Sequence, residues 1–331
     1  MKRQWITLLL FLITLLGILL SWNWRHVQHF PQMIPASYPQ PVEVFSDTPI
    51  SFPPVNADRL LSDLKNLSFP RSAEADRQLA RRYILEQLEA AGWKPQMQRF
   101  ENGINIYADR PGTDPNGSVI LLGAHYDSVE SSPGADDNAT AVATTLEAAR
   151  LFQKEQTLRT LRVVFFDAEE KGLLGSIAYV EQLEEPAKLQ GAVIMDMLGY
   201  RCNEPGCQTY PSVLPVKPPN DRGNFLAVIG DQGHPALTDS FTDANQPGLP
   251  QILSLSIPTF GGFTPDLVRS DHAPFWRAGI GAVLVTDTAN FRNPHYHQPT
   301  DTIDTIDRSF FSGSAQTVIN AIAILLQGGT S

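Results

Sequence analysis

The sequence predicts an α/β fold, a three-layer sandwich with a mostly parallel central sheet flanked by helices, preceded by a transmembrane helix. Three observations carry this expectation. A continuous apolar run of strand type at 119–122 is joined by further short, mostly apolar strand segments at 161–166, 192–195 and 282–286. Segments with helical period fall between them, at 140–152 and 174–183, the alternation that builds parallel strands with crossover helices. Residues 5–24 are almost unbroken in apolar character, about 20 residues in all, enough to cross a bilayer.

Lys2 and Arg3 precede that run and tryptophans stand at both of its ends, so residues 1–4 are expected in the cytoplasm and the remainder outside it. The residues after the run, Ser-Trp-Asn-Trp-Arg, fit a signal-peptidase site poorly, which favours an uncleaved anchor; cleavage would make the protein secreted. Residues 25–54 are rich in proline and lack helical period, and read as an extended tether. One catalytic domain is expected over 55–331. Helical spacing at 56–67 and 73–91 opens it, with Gly92 placed to end the second helix. Strands follow at 94–100 and 104–108, with Asn102-Gly103 as the turn between them. Beyond the central runs come a strand at 226–229 and a closing amphipathic helix at 309–326. Two stretches, 201–222 and 246–266, read as long loops, which in a compact domain usually carry function.

A chain of 331 residues, 42% of them hydrophobic, can bury a large core. Its net charge of −10 argues against nucleic acid as a partner, because phosphate binding needs a basic surface. The two cysteines, Cys202 and Cys207, are five apart with no histidine nearby; in an exported domain they read as a local disulfide.

Ligands on such folds gather outside the carboxyl ends of the strands. Here those ends carry His125 with Asp136, then Glu169 and Glu170, then Asp196, then His297. Each alone is an ordinary hydrogen-bonder or surface charge. Their recurrence at successive strand ends is what points to a metal site. Two imidazoles and three carboxylates, one shared, suffice for two divalent ions with positions left open for water. Nitrogen and carboxylate ligands without sulfur suit Zn2+, with Mn2+ or Co2+ as substitutes. Asp127, two residues from His125 on an extended strand, is placed to orient its imidazole.

The runs GAHYDSV, PGADDNATAVA, FFDAEEKGLLGS, IMDMLGY, SDHAPFWRAGI and YHQPTDT, in that order, resemble the dizinc aminopeptidases of metallopeptidase family 28 over residues 56–326. The resemblance implies a zinc-exopeptidase fold and peptide substrates. By it, His125 and Asp196 hold one ion, Glu170 and His297 the other, and Asp136 bridges them. Glu169 is then the general base that takes a proton from metal-bound water and passes it to the leaving amine. The peptide bond after the bridging aspartate is commonly cis in this family, which places a cis bond at Asp136-Asp137. His295 competes with His297 for ligation, and the Gln-Pro-Thr-Asp-Thr that follows selects His297. Asp271 is either an outer partner of the site or the cap of a short helix at 273–277. The amino-terminal side chain of the substrate is expected to meet the loops 201–222 and 246–266, where Phe260, Phe263 and Leu267 offer apolar surface.

Glutaminyl cyclases share this fold and nearly all of these positions, and are the alternative reading. They tend to carry tryptophan before the last histidine, where this chain has Tyr296. An inactive, anchored binding ectodomain is disfavoured, because no ligand or base position is substituted.

Overall fold

The computed structural model describes residues 50, 52–114, 116–212, 220–258 and 265–328, and one mixed sheet runs through the middle of them. Its strands are β1 (Gln96–Phe100), β2 (Gly103–Arg110), β3 (Val119–His125), β4 (Thr160–Phe166), β5 (Leu189–Met195), β6 (Phe225–Asp231), β7 (Gln251–Ile257) and β8 (Ala282–Thr286). They lie side by side in the order β1-β2-β4-β3-β5-β8-β6-β7. The membrane segment 5–24, and all of the tether except residues 50 and 52–54, lie outside the described residues.

The continuous apolar runs became the centre of the sheet. Every residue of β3 is buried, as a strand covered on both faces must be. Strands β4, β3, β5 and β8 are mutually parallel neighbours, with Leu122 opposite Val163 on one side and Val193 on the other. Their carboxyl ends therefore share one edge of the molecule.

Parallel pairing stops on both sides of that block. Strands β1 and β2 form the expected hairpin and join β4 antiparallel, and β6 pairs antiparallel with β8. The sheet is mixed rather than mostly parallel: four of its seven pairings are parallel. No helix crosses over between β5 and β6 among the described residues, so nothing there forces β6 to run with the block.

Five helices cover one face of the sheet: α1 (Ala57–Leu67), α2 (Glu74–Ala90), α3 (Ala141–Phe152), α5 (Pro235–Asp243) and α7 (Arg308–Leu326). Two cover the other, α4 (Leu174–Glu181) and α6 (His272–Arg277), through Tyr179, Phe275 and Trp276. Asn56 caps α1 by accepting from the Arg59 amide, and Asp307 caps α7 through the Phe310 amide. Gly92 ends α2 with φ of 83°, a conformation that costs glycine little. Helix α7 is long and apolar enough to span a membrane, but 78% of its most apolar window is buried, which makes it a core helix.

Two elements were not legible. Strand β7 lies within the stretch read as a loop; as an edge strand it keeps Gln251, Ser254 and Ser256 exposed and shows no buried apolar run. Helix α5 is short and begins at Pro235.

Candidate metal centre

The shared edge of the parallel block is where the acids and imidazoles meet. His125 is the last residue of β3, and the Tyr126 amide continues the ladder to Phe166 O at 2.9 Å. Asp127 follows, and its carboxylate takes the amides of Glu169 (3.0 Å) and Glu170 (3.2 Å) across the gap between strands. Those glutamates open a tight turn, Glu169–Lys171, entered through Ala168 in the left-handed region. Asp127 thus fixes the backbone from which both glutamates project, and its Oδ1 also stands 3.5 Å from His125 Nδ1.

Side-chain atoms converge in two groups, His125 with Glu169 and Asp196, and Asp137 with Glu170 and His297; within each the ligand atoms lie within 4.8 Å of one another. Asp137 joins the groups, its Oδ1 3.4 Å from His125 Nε2 and its Oδ2 3.3 Å from His297 Nε2. Asp196 Oδ1 lies 3.7 Å from His125 Nε2, and Glu170 Oε2 lies 3.0 Å from His297 Nε2.

The carboxylate that lies between the two imidazoles is Asp137, where Asp136 was expected. Asp136 turns away and spends its oxygens elsewhere, accepting from the Gly199 amide (2.8 Å) and from Asn293 Nδ2 (2.8 Å) and sharing a hydrogen bond with the Asp287 carboxyl. Burial and the charges of Asp287 and Asp301 push the Asp136 carboxyl well up. The cis peptide bond is Asp137-Asn138, one residue later than expected. Asn138 then ties this turn to the neighbouring strand end, donating to Met195 O (2.9 Å) and accepting from the Met197 amide (3.1 Å) on either side of Asp196.

These residues suit a pair of divalent cations. His125 Nε2 and one oxygen of Glu170 are buried without a hydrogen-bond partner, a costly state that a cation at each of the two groups would relieve. The donors are nitrogen and carboxylate oxygen only, the set that zinc, manganese and cobalt accept.

The electrostatics are those of crowded acids. Burial pushes Glu169 well above the carboxylate range, the charges of Asp271, Asp196 and Glu170 add to it, and His125 opposes. Burial and Asp137 raise Glu170 to about 7. Asp137, despite burial, is held low by the two imidazoles that face it. Burial disfavours the His297 imidazolium, but hydrogen bonds to Asp137 and Glu170 prevail and raise it to about 10. Asp271 makes no capping hydrogen bond to α6; it is fully buried, pushed by burial to about 7, and its charge acts on Glu169.

The other histidines among the described residues are occupied elsewhere. His295 Nδ1 meets Thr300 Oγ1 at 2.9 Å, His272 Nε2 meets Leu267 O at 2.9 Å, and His234 Nδ1 meets Asp231 Oδ1 at 2.7 Å. Cys202 and Cys207 form a disulfide. It precedes 208–211, a wall of an open cavity that has Asp137, Glu169, Glu170, Asp196 and His297 at its polar end. The cavity's apolar lining comes from one face of the sheet, buried Ile229 on β6, half-buried Leu253 and buried Leu255 on β7 and buried Leu284 on β8, with Leu267 beside them. Phe260 and Phe263 lie outside the described residues. At the rim, Arg269 Nη2 donates to Tyr296 OH (3.1 Å), and the Tyr296 ring stacks on His297 with centroids 3.8 Å apart.

The model of the family described as peptidase family M28 matches residues 105–322. The uncharacterized protein YfbL of Escherichia coli is 33% identical over 86% of this chain and 91% of its own length. Aminopeptidase YwaD of Bacillus subtilis is 31% identical over 68% of this chain, which spans 44% of that longer protein. Among solved structures, a zinc aminopeptidase from Bacillus subtilis superposes with a TM-score of 0.66 at 18% identity, covering 83% of this chain and 95% of that one. A Bacteroides thetaiotaomicron glutaminyl cyclase superposes with a TM-score of 0.62 at 18% identity, covering 82% and 99%. Both likenesses are of fold.

Proposed function

Because the chain belongs to peptidase family M28, we propose that it is a zinc-dependent aminopeptidase that removes amino-terminal residues from peptides, with Glu169 as its general base. The observation that carries this reading is the placement of one carboxylate, Asp137, between two imidazoles, with the buried Glu169 alongside. His125, Asp196 and Asp137 would hold one ion, and Glu170, His297 and Asp137 the other. When bound, such ions polarise the scissile carbonyl and acidify water.

The protein's own groups do the rest. Glu169, its proton affinity raised by burial, accepts a proton from the attacking water as the C–O bond forms. It returns that proton to the amide nitrogen as the C–N bond breaks, releasing the amino acid and a shortened peptide. Asp127 grips both glutamate amides and so keeps the base from wandering into Glu170's place. The leucine and isoleucine face of β6, β7 and β8 receives the side chain of the departing residue, which favours apolar amino termini.

The disulfide fits an oxidising compartment, and with residues 5–24 as an anchor the catalytic domain would stand outside the cytoplasm. The glutaminyl cyclase fold neighbour keeps a second reaction in view, closure of an amino-terminal glutamine to pyroglutamate with loss of ammonia.

The test is Glu169→Gln in the purified protein, assayed on aminoacyl amides and on a glutamine-initiated peptide. The wild type releases free amino acids, and the variant keeps its zinc content but loses turnover by roughly 100- to 10,000-fold. Near-normal turnover removes Glu169 from its role, and pyroglutamate without amino acid release replaces the peptidase with a cyclase.

A further inference from the structure

Arg71 lies between α1 and α2, ahead of the residues that the family model matches, and it is completely buried. A guanidinium is always charged and carries five N–H donors, so burying it demands an acceptor for each. The acceptors here are all neutral carbonyls. Nε donates to Tyr126 O (2.7 Å), Nη1 to Pro133 O (2.8 Å), to Phe69 O (2.9 Å) and to Leu67 O, and Nη2 to Gly134 O (2.9 Å). The Arg71 amide donates in turn to Ser128 Oγ (2.9 Å).

The identity of those carbonyls is what matters. Tyr126 separates His125 from Asp127, and Pro133-Gly134 leads into Asp136 and Asp137. One side chain thus grips both turns whose residues must stand 3.4 Å apart at His125 Nε2 and Asp137 Oδ1. Gly134 adopts φ of 61°, and a Cβ there would sit 2.4 Å from Asp137 O and 2.7 Å from Arg71 Nη2, so the glycine lets the Asp137 turn and the guanidinium both approach this point. The charge is placed to act as well: Asp127, Asp137, Asp301 and Glu170 all feel it, which offsets their mutual repulsion before any cation arrives.

We propose that Arg71 is a positioning residue for the metal centre, setting the separation of the His125–Asp127 turn from the Asp137 turn through their carbonyls. This rests on the metallopeptidase reading. The wild type's own zinc binding tests that reading first, since a chain that takes up no zinc refutes it before any variant is made.

Zinc affinity, measured by competition with a chromogenic chelator, tests the inference apart from turnover. Arg71→Lys keeps the charge but has three donors on a different geometry. It should fold, lose tenfold or more in zinc affinity, and when saturated with zinc show lower kcat with KM within twofold. Leu64→Ala, a core change in α1, supplies a control for lost stability alone and should keep zinc affinity within twofold. Should Arg71→Lys fail to fold, Arg71→Gln, which keeps an NH2 group but loses the charge and the fork, should weaken zinc binding in the same direction. The proposal is overturned if a folded Arg71→Lys or Arg71→Gln binds zinc like the wild type, or if Leu64→Ala loses as much affinity as they do.

Discussion

Asp301 takes the amide of Asp137 on one carboxylate oxygen, at 3.1 Å, and that of Asp136 on the other, at 2.9 Å. This grip from a residue more than 160 positions away sets the turn in which one aspartate faces the imidazoles and its neighbour faces the core. Asp301→Asn replaces one acceptor with an NH2 pointed at an N–H. Zinc affinity should fall roughly 10- to 100-fold, the usual cost of losing a partner that orients a ligand. A chelator-competition titration measures it, and an unchanged affinity would show that the turn holds itself.

The neighbouring aspartates should separate cleanly. Asp137→Asn is expected to lower bound zinc from two ions per chain to one or fewer, because the shared carboxylate is lost. Asp136→Asn should retain both ions and show its effect mainly as a lower unfolding midpoint, since that carboxyl braces Gly199 and Asn293. Metal analysis after gel filtration distinguishes them. The reverse pattern would restore Asp136 as the bridge.

Substrate preference follows from the sheet face that forms the cavity. Leucyl, methionyl and phenylalanyl amides should exceed glycyl amide in kcat/KM by one to two orders of magnitude, given about 0.8 kcal/mol for each methylene buried. Leu253→Asn, at a half-buried position of that face, should shrink the leucyl-to-glycyl ratio several-fold with glycyl turnover little changed. Equal effects on both substrates would place the side chain elsewhere.

Acid sensitivity has a specific contributor outside the ligand set. Burial lowers His272 to about 4 from an ordinary 6.5. Between those values the unfolded chain binds a proton that the folded chain refuses, so stability rises with pH through the interval and is lost on acidification. The full loss is at most about 3 kcal/mol, reached as the pH approaches 4. Urea unfolding of zinc-free wild type and His272→Asn at pH 7 and pH 4.5 measures it. The variant should lose about 2 kcal/mol less stability than the wild type over that range, and parallel losses would rule the histidine out.

What the sequence revealed follows from how locally each feature is determined. His125 and Asp196 come directly after the runs VILLGA and AVIM, and Glu169 and Glu170 within four residues of VVFF, all of which read as buried strands, so locating the strand brought the residue to its end. Asp136 and Asp137 sit in a turn and are chemically identical. Their orientation depends on Asp301, on Gly134 in the left-handed region and on Asn138 reaching Met195, none of which spacing encodes. Asp301 stood within the motif YHQPTDT, yet its task is visible only once the turn is folded. Strand β7 was hidden because an edge strand with one open face need not be apolar. Arg71, one basic residue in Phe-Pro-Arg-Ser, gave no sign that it would be interior.

The reversal of direction between β8 and β6 has a consequence for how this scaffold can diversify. The apolar wall is drawn mainly from the middles of β6 and β7, with Leu284 of β8 beside them, whereas the acids and imidazoles follow the finishing ends of β4, β3, β5 and β8. Most of the wall and most of the chemistry thereby lie on different strands. Substitutions that retune which residue is accepted can accumulate in the one set while the other stays intact, an arrangement suited to acquiring new diets without rebuilding the engine.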